Sequence, residues 1–270
     1  PAVRGEGGGG ARAGLLGLIL LLVLIPTLPQ SARAQDEAPG EAPGIEWAVE
    51  TELGASVFFG ATDQTTVATE LGVNRESRQF ELETGMALLY GEATNQEGQS
   101  SVNKRFWRAE ANLDYQGFSW VNPYIFGTAL SNLEKKISRR YKLGSGAKLT
   151  LLDTDVSSLD LAAAVAVERT LASDGADQEA EWLGRWTGAA RYRRSFSEDR
   201  AVFETSADYN PKFQHLQNFT LEAEASLAFR LSSIVSLKLS VQDQYDNQAK
   251  ERGATSNNDG QVLVSVLAAF

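Results

Sequence analysis

The sequence contains no cysteine, so neither disulfide bonds nor thiolate metal sites can hold this fold. A single histidine, His215, excludes a metal site built from several histidines. Positive charge is also scarce, because 25 Lys and Arg residues face 35 Asp and Glu residues and the pI is about 4.8. A nucleic-acid partner would need a basic surface, and we therefore expect none. We expect no cofactor and no bound metal.

Long apolar runs are missing except near the N-terminus, where residues 15–25 are uninterrupted by any polar side chain. Arg4 and Arg12 precede this run, and Ala32-Arg33-Ala34 follows it. This order is typical of a cleaved secretory signal peptide, which we predict for residues 1–34. An uncleaved anchor helix is less favoured, because such a run rises only about 16 Å against a hydrocarbon core of roughly 30 Å.

The remaining chain divides into a short tether and a long alternating region. Residues 35–44 (QDEAPGEAPG) predict a flexible Pro/Gly/acidic tether. From residue 45 to residue 270 the period is two, as in 219–231, where odd positions are mostly apolar and even positions mostly polar. Such residues lie on opposite faces of a strand, whereas a helix would scatter them. Similar runs predict about twelve strands, many reaching the roughly 9–11 residues of a membrane strand.

A soluble periplasmic β-sandwich that binds a ligand would also alternate, but its strands average about 5–6 residues. Here the runs are commonly longer, and aromatic residues lie near their ends, as an interfacial girdle requires: Trp47, Phe59, Trp107, Tyr115, Tyr192, Tyr209, Tyr245 and Phe270. We therefore favour an all-β fold, a closed antiparallel up-and-down transmembrane β-barrel in the outer membrane of a Gram-negative bacterium.

The connections between the runs support this prediction. Links after the even-numbered strands are short, whereas several links after odd-numbered strands are long: 92–103, 170–180, 210–217 and 246–260. Short turns at one end and long loops at the other are typical of outer-membrane barrels.

The last strand, residues 261–270, places Val262, Val264 and Val266 on one face and ends in Phe270. It is similar to the assembly signal of outer-membrane barrel proteins, which implies that the barrel-insertion machinery reads Phe270. Outer-membrane lipid and that machinery are the expected partners, and no stable protein partner is predicted.

Three short motifs point to one family. They are Trp47 ahead of Leu-Gly-Ala-Ser at 53–56, the run RYKLGSGAK at 140–148, and Tyr245-Asp246-Asn247 followed by Asp259. In these the chain resembles the salt-induced outer-membrane protein family (YdiY-like), a domain-of-unknown-function family. The resemblance covers most of residues 45–270. It implies an integral outer-membrane barrel and a connection with salt stress.

The sequence offers little for catalysis. A barrel-embedded hydrolase acting on lipids would use His215 with Ser206 and Asp208, but we expect His215 in a loop and the other two inside the barrel. Residues 257–259 (Asn-Asn-Asp) lack the ligand spacing of a calcium loop and favour a turn. We therefore predict a protein that is not an enzyme.

Charged residues occupy the polar positions of many strands and predict the lining of the lumen: Glu50, Glu52, Glu70, Arg108, Glu110, Arg140, Lys142, Lys148, Arg185, Arg191, Glu204, Glu222 and Glu224. One interpretation is internal ion pairing that fills a narrow barrel. The other is a field across a water-filled, ion-selective channel. The sequence therefore favours a non-enzymatic envelope component or a small, occluded pore.

Overall fold

The computed structural model describes residues 46–58, 63–95, 97–118, 120–173 and 181–270. The predicted signal peptide and tether lie outside these residues. In the described part of the chain, no helix is long and apolar enough to cross a membrane.

In these described residues, twelve antiparallel strands form the fold, and each pairs with its neighbours in the sequence. The first and last strands, β1 and β12, also pair, so the sheet closes into a barrel. This closure confirms the predicted fold class and strand number, and it excludes the β-sandwich. The strands are β1 (Glu46–Phe58), β2 (Asp63–Glu76), β3 (Phe80–Thr94), β4 (Ser100–Tyr115), β5 (Val121–Asn132), β6 (Ile137–Thr154), β7 (Ser157–Ala172), β8 (Trp182–Phe196), β9 (Ala201–Pro211), β10 (Phe219–Arg230), β11 (Val235–Asp246) and β12 (Asn258–Ala269).

The barrel has two different ends. The short-turn end carries the first residue of β1, the last residue of β12 and the links after even-numbered strands, such as 155–156 and 231–234. The long-loop end carries the links after odd-numbered strands, among them 212–218 and 247–257. The prediction of a long link after β3 was wrong: the pairing of β3 with β4 continues past a register shift between Gly91 and Glu92, which leaves only residues 95–99 between the strands.

The seam between β1 and β12 depends on the last residues of the chain. The backbone N–H of Val49 donates to the carbonyl oxygen of Phe270 at 3.1 Å, and the N–H of Phe270 donates to the oxygen of Val49 at 2.9 Å. These bonds continue the ladder that pairs Glu50 with Ala269. Phe270 therefore has a structural position at the closure of the barrel.

The two faces of the wall differ as the alternation predicts. Along β12, the side chains of Val262, Val264 and Val266 are about half exposed on the outside, whereas Leu263 and Ser265 between them are buried inside. Leu237, Leu239 and Val241 repeat the outer pattern on β11. An apolar outer surface that continues from strand to strand needs a partner other than water.

One part of the lumen is filled by apolar packing. Phe126 on β5 is buried against Ala164 and Ala166 of β7, and it reaches them across β6. Gly144 on β6 makes this possible, because a Cβ atom there would lie 2.5 Å from Phe126 Cε1. The wall formed by β5, β6 and β7 is therefore thick, and free space remains on the other side of the lumen.

Candidate functional site

The lumen contains a cavity of about 600 Å³ that reaches the short-turn end, where Asp199 and Ser233 line it. Most of the predicted lumen residues line this cavity, namely Glu50, Glu52, Glu70, Arg108, Glu110, Arg191, Glu204, Glu222 and Glu224. The other four lie outside its lining and contact groups described below. All thirteen share the inward parity of their strands, but whether any of them binds a ligand stays a prediction.

Two basic residues hold acidic partners inside the cavity. Lys238 Nζ lies 2.9 Å from Glu52 Oε2 and 3.5 Å from Glu224 Oε1. Arg108 lies 2.7 Å from Glu222 Oε2 through Nη1 and 2.9 Å from Glu110 Oε2 through Nε. Each cation therefore contacts two carboxylates, which keeps negative charge in excess around it.

Further acids of the cavity have no cation of their own. Among the described residues, no ion pair or side-chain hydrogen bond is formed by Glu50, Glu70 or Glu83. The lining acids outnumber the lining bases: Glu50, Glu52, Glu70, Glu83, Glu110, Asp199, Glu204, Asp208, Glu222, Glu224 and Asp243 against Arg108, Arg191, Arg193, Arg230 and Lys238. The cavity, which we call the acidic vestibule, thus carries a negative potential at neutral pH.

Ion pairs cross the lumen within the vestibule and between the vestibule and the long-loop end. Arg108 is on β4 and Glu222 is on β10, strands that lie on opposite sides of the closed ring. Lys104 of β4 likewise lies 3.3 Å from Asp259 of β12, and Arg140 of β6 lies 2.8 Å from Asp246 of β11. Contacts of this length between distant strands narrow the lumen towards the long-loop end.

A second charged cluster fills the wall near that end. Arg185 Nη2 donates to Glu168 Oε1 at 2.9 Å, and Arg185 Nη1 donates to the Asn210 carbonyl oxygen at 2.8 Å. Glu168 also lies 3.6 Å from Arg140 Nε, so two guanidinium groups share one carboxylate. Both Arg185 and Glu168 are only 2 % exposed. A buried charge needs partners of this kind, and the cluster depends on Glu168.

The two remaining predicted lumen residues are lysines of β6. Lys142 Nζ donates to Asn210 Oδ1 at 3.0 Å and lies 5.4 Å from the centroid of the Phe126 ring. Lys148 pairs with Asp114 of β4. The polar partners of the two lysines thus lie on β9 and β4, and neither lysine lines the vestibule.

Sequence reasoning missed several residues of the closed end. Glu168 and Asp246 lie at inward positions of β7 and β11, so the alternation could have found them. Arg252 lies in the β11–β12 link, where no two-residue alternation of polar and apolar side chains predicts the direction of its side chain. Its side chain nevertheless reaches Asp246 Oδ2 at 2.7 Å through Nη2.

The residues considered for catalysis are not brought together. Ser206 and Asp208 line the vestibule, whereas His215 is exposed in the β9–β10 link at the long-loop end. Within the described ranges, no side-chain hydrogen bond joins His215 to either residue. Those ranges also hold no group of three or more His, Asp or Glu side chains placed to bind a metal ion.

Residues 51–270 match the family model described as "Protein of unknown function, DUF481". The chain belongs to the DUF481 family. The predicted membership in a domain-of-unknown-function family is thereby confirmed, and the connection with salt stress stays a prediction. No curated protein matches the sequence of this DUF481 protein.

Solved barrels resemble this DUF481 protein at very low sequence identity. The KdgM porin in complex with disordered oligogalacturonate is 11 % identical at a TM-score of 0.44, with 83 % of this chain and 99 % of that chain covered. The translocator domain of the autotransporter NalP from Neisseria meningitidis is 9 % identical at a TM-score of 0.46, with 96 % of this chain and 95 % of that chain covered. The NanC porin is 7 % identical at a TM-score of 0.45, with 82 % of this chain and 97 % of that chain covered. The fold assignment therefore rests on the strand pairing.

Proposed function

We propose that this DUF481 protein is an integral outer-membrane β-barrel and a small, non-enzymatic pore that prefers cations and is closed at its long-loop end. The observation that carries the proposal is a closed twelve-stranded barrel with an apolar outside and a charged inside. A soluble protein arranges these faces in the opposite way.

Membrane insertion follows from the surface of the wall. A closed barrel satisfies every backbone hydrogen bond within the sheet, as hydrocarbon surroundings require. Large aromatic side chains are exposed near the strand ends, with Trp47 at 62 %, Trp120 at 69 %, Trp182 at 59 % and Phe270 at 66 %. Tryptophan and other aromatic residues at both edges of an apolar band are typical of membrane barrels.

The orientation follows from the two ends. In outer-membrane barrels the short turns are periplasmic and the longer loops face outward. We propose the same for this chain, so the acidic vestibule opens to the periplasm and the closed mouth faces the exterior. Export by a cleaved signal peptide, and reading of Phe270 by the insertion machinery, belong to the same proposal.

Cation preference follows from the vestibule. Acidic rings favour cation passage because they raise the local concentration of positive ions and repel anions. Glu50, Glu70 and Glu83 belong to the lining acids whose charge is not offset by a contacting base in the described residues. An enzymatic role has no comparable support, since Ser206, Asp208 and His215 are separated as described.

The first test is location and closure. We expect cells that express the full chain to carry it in the outer membrane, and we expect its band to shift on gels between unboiled and boiled detergent extracts. A closed barrel resists the detergent until it is boiled, which explains the shift. Recovery of the protein in the soluble periplasmic fraction would overturn the membrane proposal.

The second test is ion passage. We expect folded protein in planar bilayers to give conductance steps, with a reversal potential in a KCl gradient that shows preference for K⁺. Replacing Glu50, Glu70 and Glu83 by Gln should remove most of this preference. Glu97→Gln, in the exposed β3–β4 link, is the matched control and should leave it unchanged. Absence of any conductance from heat-modifiable protein would leave an envelope component without a pore.

A further inference from the structure

The β11–β12 link, residues 247–257, folds into the mouth at the long-loop end, and we call it the strap. It contains the 3-10 turn Lys250–Arg252, and Ala249 and Ala254 beside that turn are 0 % and 8 % exposed. A link that projected into solvent would expose both alanines. The strap therefore packs against other parts of the barrel.

The strap contacts the opposite side of the mouth. Lys135, in the β5–β6 turn, donates from Nζ to the Asn257 carbonyl oxygen at 2.7 Å. Arg252 donates from Nε to the Lys135 carbonyl oxygen at 3.2 Å. Strands β5 and β6 lie opposite β11 and β12 in the closed ring, so these two bonds bridge the opening.

Asp246 anchors the strap at its base. Its Oδ2 atom accepts hydrogen bonds from Arg252 Nη2 at 2.7 Å and from Arg140 Nη2 at 2.8 Å. Arg252 thus joins the wall of the barrel, the strap and the opposite turn through one guanidinium group. Arginine suits this role because its planar donors serve several acceptors at once.

We propose that the strap is a gate, which Arg252 and Lys135 latch across the mouth of the pore. This inference rests on the proposed function as a pore. The strap has no apolar side chain larger than alanine, so closure depends on polar contacts that water can replace. Breaking the two bonds to the β5–β6 turn releases the strap from the opposite side of the mouth, while its base stays bonded to Asp246 and the twelve strands keep their pairing.

The groups beside the latch make it sensitive to pH. Lys104 Nζ of β4 lies 3.5 Å from Glu134 Oε2 and 3.3 Å from Asp259 Oδ1, so two carboxyl groups share one ammonium group. Burial, together with the nearby Asp259, raises the pKa of Glu134 to about 7. Burial lowers the pKa of the neighbouring Lys135, against the attraction of Asp259, Asp246, Glu134 and Asp243.

The sign of the pH effect follows from the raised pKa of Glu134. Burial is the largest cause of this raised pKa of about 7, and in our proposal an open mouth admits water to Glu134 and lowers its pKa towards the ordinary value of 4.5. Glu134 therefore binds its proton more tightly in the closed mouth than in the open mouth. Protonation stabilises the closed form at low pH, and this stabilisation is lost as the pH rises through 7. We expect the ratio of open to closed channels to rise about tenfold or more between pH 5.5 and pH 8.

The test compares the removal of one arginine with the removal of one lysine in the same strap. Arg252→Ala should raise the open fraction in planar bilayers at least about fivefold, because one lost bond to the opposite turn is worth roughly 1 kcal/mol. Lys250→Ala removes the same charge from an exposed position and should leave gating unchanged. Equal conductance of the wild type, Arg252→Ala and Lys250→Ala at every pH would overturn the gate.

A second measurement does not depend on conductance. The chain has no native cysteine, so Ala254→Cys provides a single buried thiol in the strap. We expect maleimide to label it faster in the Arg252→Ala background, with the exposed Thr255→Cys as the reference for pH and reagent. Faster labelling without any conductance would support a movable strap and overturn the pore. Unchanged labelling in a conducting protein would overturn the gate and leave the pore.

Discussion

Replacing Leu239 by arginine is expected to lower the free energy of unfolding by about 2–4 kcal/mol, although the side chain is exposed on the outside of the barrel. Leu239 lies near the middle of β11 and pairs with Leu227 on one side and Val264 on the other. In a membrane this position lies in hydrocarbon, where a guanidinium group loses its hydration. Urea unfolding in phospholipid vesicles, followed by tryptophan fluorescence, measures the change.

Ser236→Arg on the same strand is the matched control for this prediction. Ser236 lines the acidic vestibule, so a guanidinium group there keeps water and gains attraction from the surrounding carboxylates. We expect its free energy of unfolding to change by less than about 1 kcal/mol. Equal effects of the two substitutions, or no effect of either, would contradict a hydrocarbon environment around the wall.

The wall of the barrel could be predicted from the sequence because each strand shows its own alternation of apolar and polar residues. A strand repeats every two residues, and a lipid-facing wall makes the apolar half of that repeat visible, as Leu237, Leu239 and Val241 show. The same repeat assigned inward positions to the predicted lumen residues. It misjudged where β3 ends, because residues 92–94 carry Glu, Ala and Thr and look like a loop while continuing the sheet.

Partners across the lumen could not be predicted, because they depend on closure. Arg108 and Glu222 are 114 residues apart, and alternation places both inward without bringing them together. They meet because the ring has twelve strands, which sets β4 opposite β10. The strap is still less accessible to sequence reasoning. Arg252 lies outside any strand, and only the folded path of the link brings it to Asp246 and Lys135.

Both interpretations of the charged lumen, internal ion pairing and a charged cavity, apply to this barrel, each at a different end. Towards the long-loop end, acids and bases neutralise each other across and along the wall, as with Arg140 and Asp246. In the vestibule, Lys238 and Arg108 are outnumbered by the carboxylates around them. Internal ion pairing and a charged cavity therefore occupy different depths of the same barrel, and a gate at the paired end controls access to the charged one.

Glu168→Ala is expected to cost about 3–5 kcal/mol of the free energy of unfolding, because it leaves two buried guanidinium groups without their shared carboxylate. Arg185 Nε lies 2.9 Å from Glu168 Oε2, and Arg140 Nε lies 3.6 Å from Oε1. A guanidinium group is a charge with donors only, so removing its carboxylate partner leaves an uncompensated charge in the wall. Urea unfolding in vesicles gives the change in free energy, and the temperature of the gel shift should fall with it.

Glu204→Ala removes an acid of the same type from a solvent-exposed ion pair and serves as the control. Glu204 Oε1 lies 3.0 Å from Arg193 Nη1, and their side chains are 47 % and 58 % exposed, so solvent screens the pair. Its loss should cost less than about 1 kcal/mol. A Glu168→Ala cost as small as that of Glu204→Ala would mean that water reaches Arg185 and Arg140. The long-loop end would then be open, and the strap could not be the barrier that closes the pore.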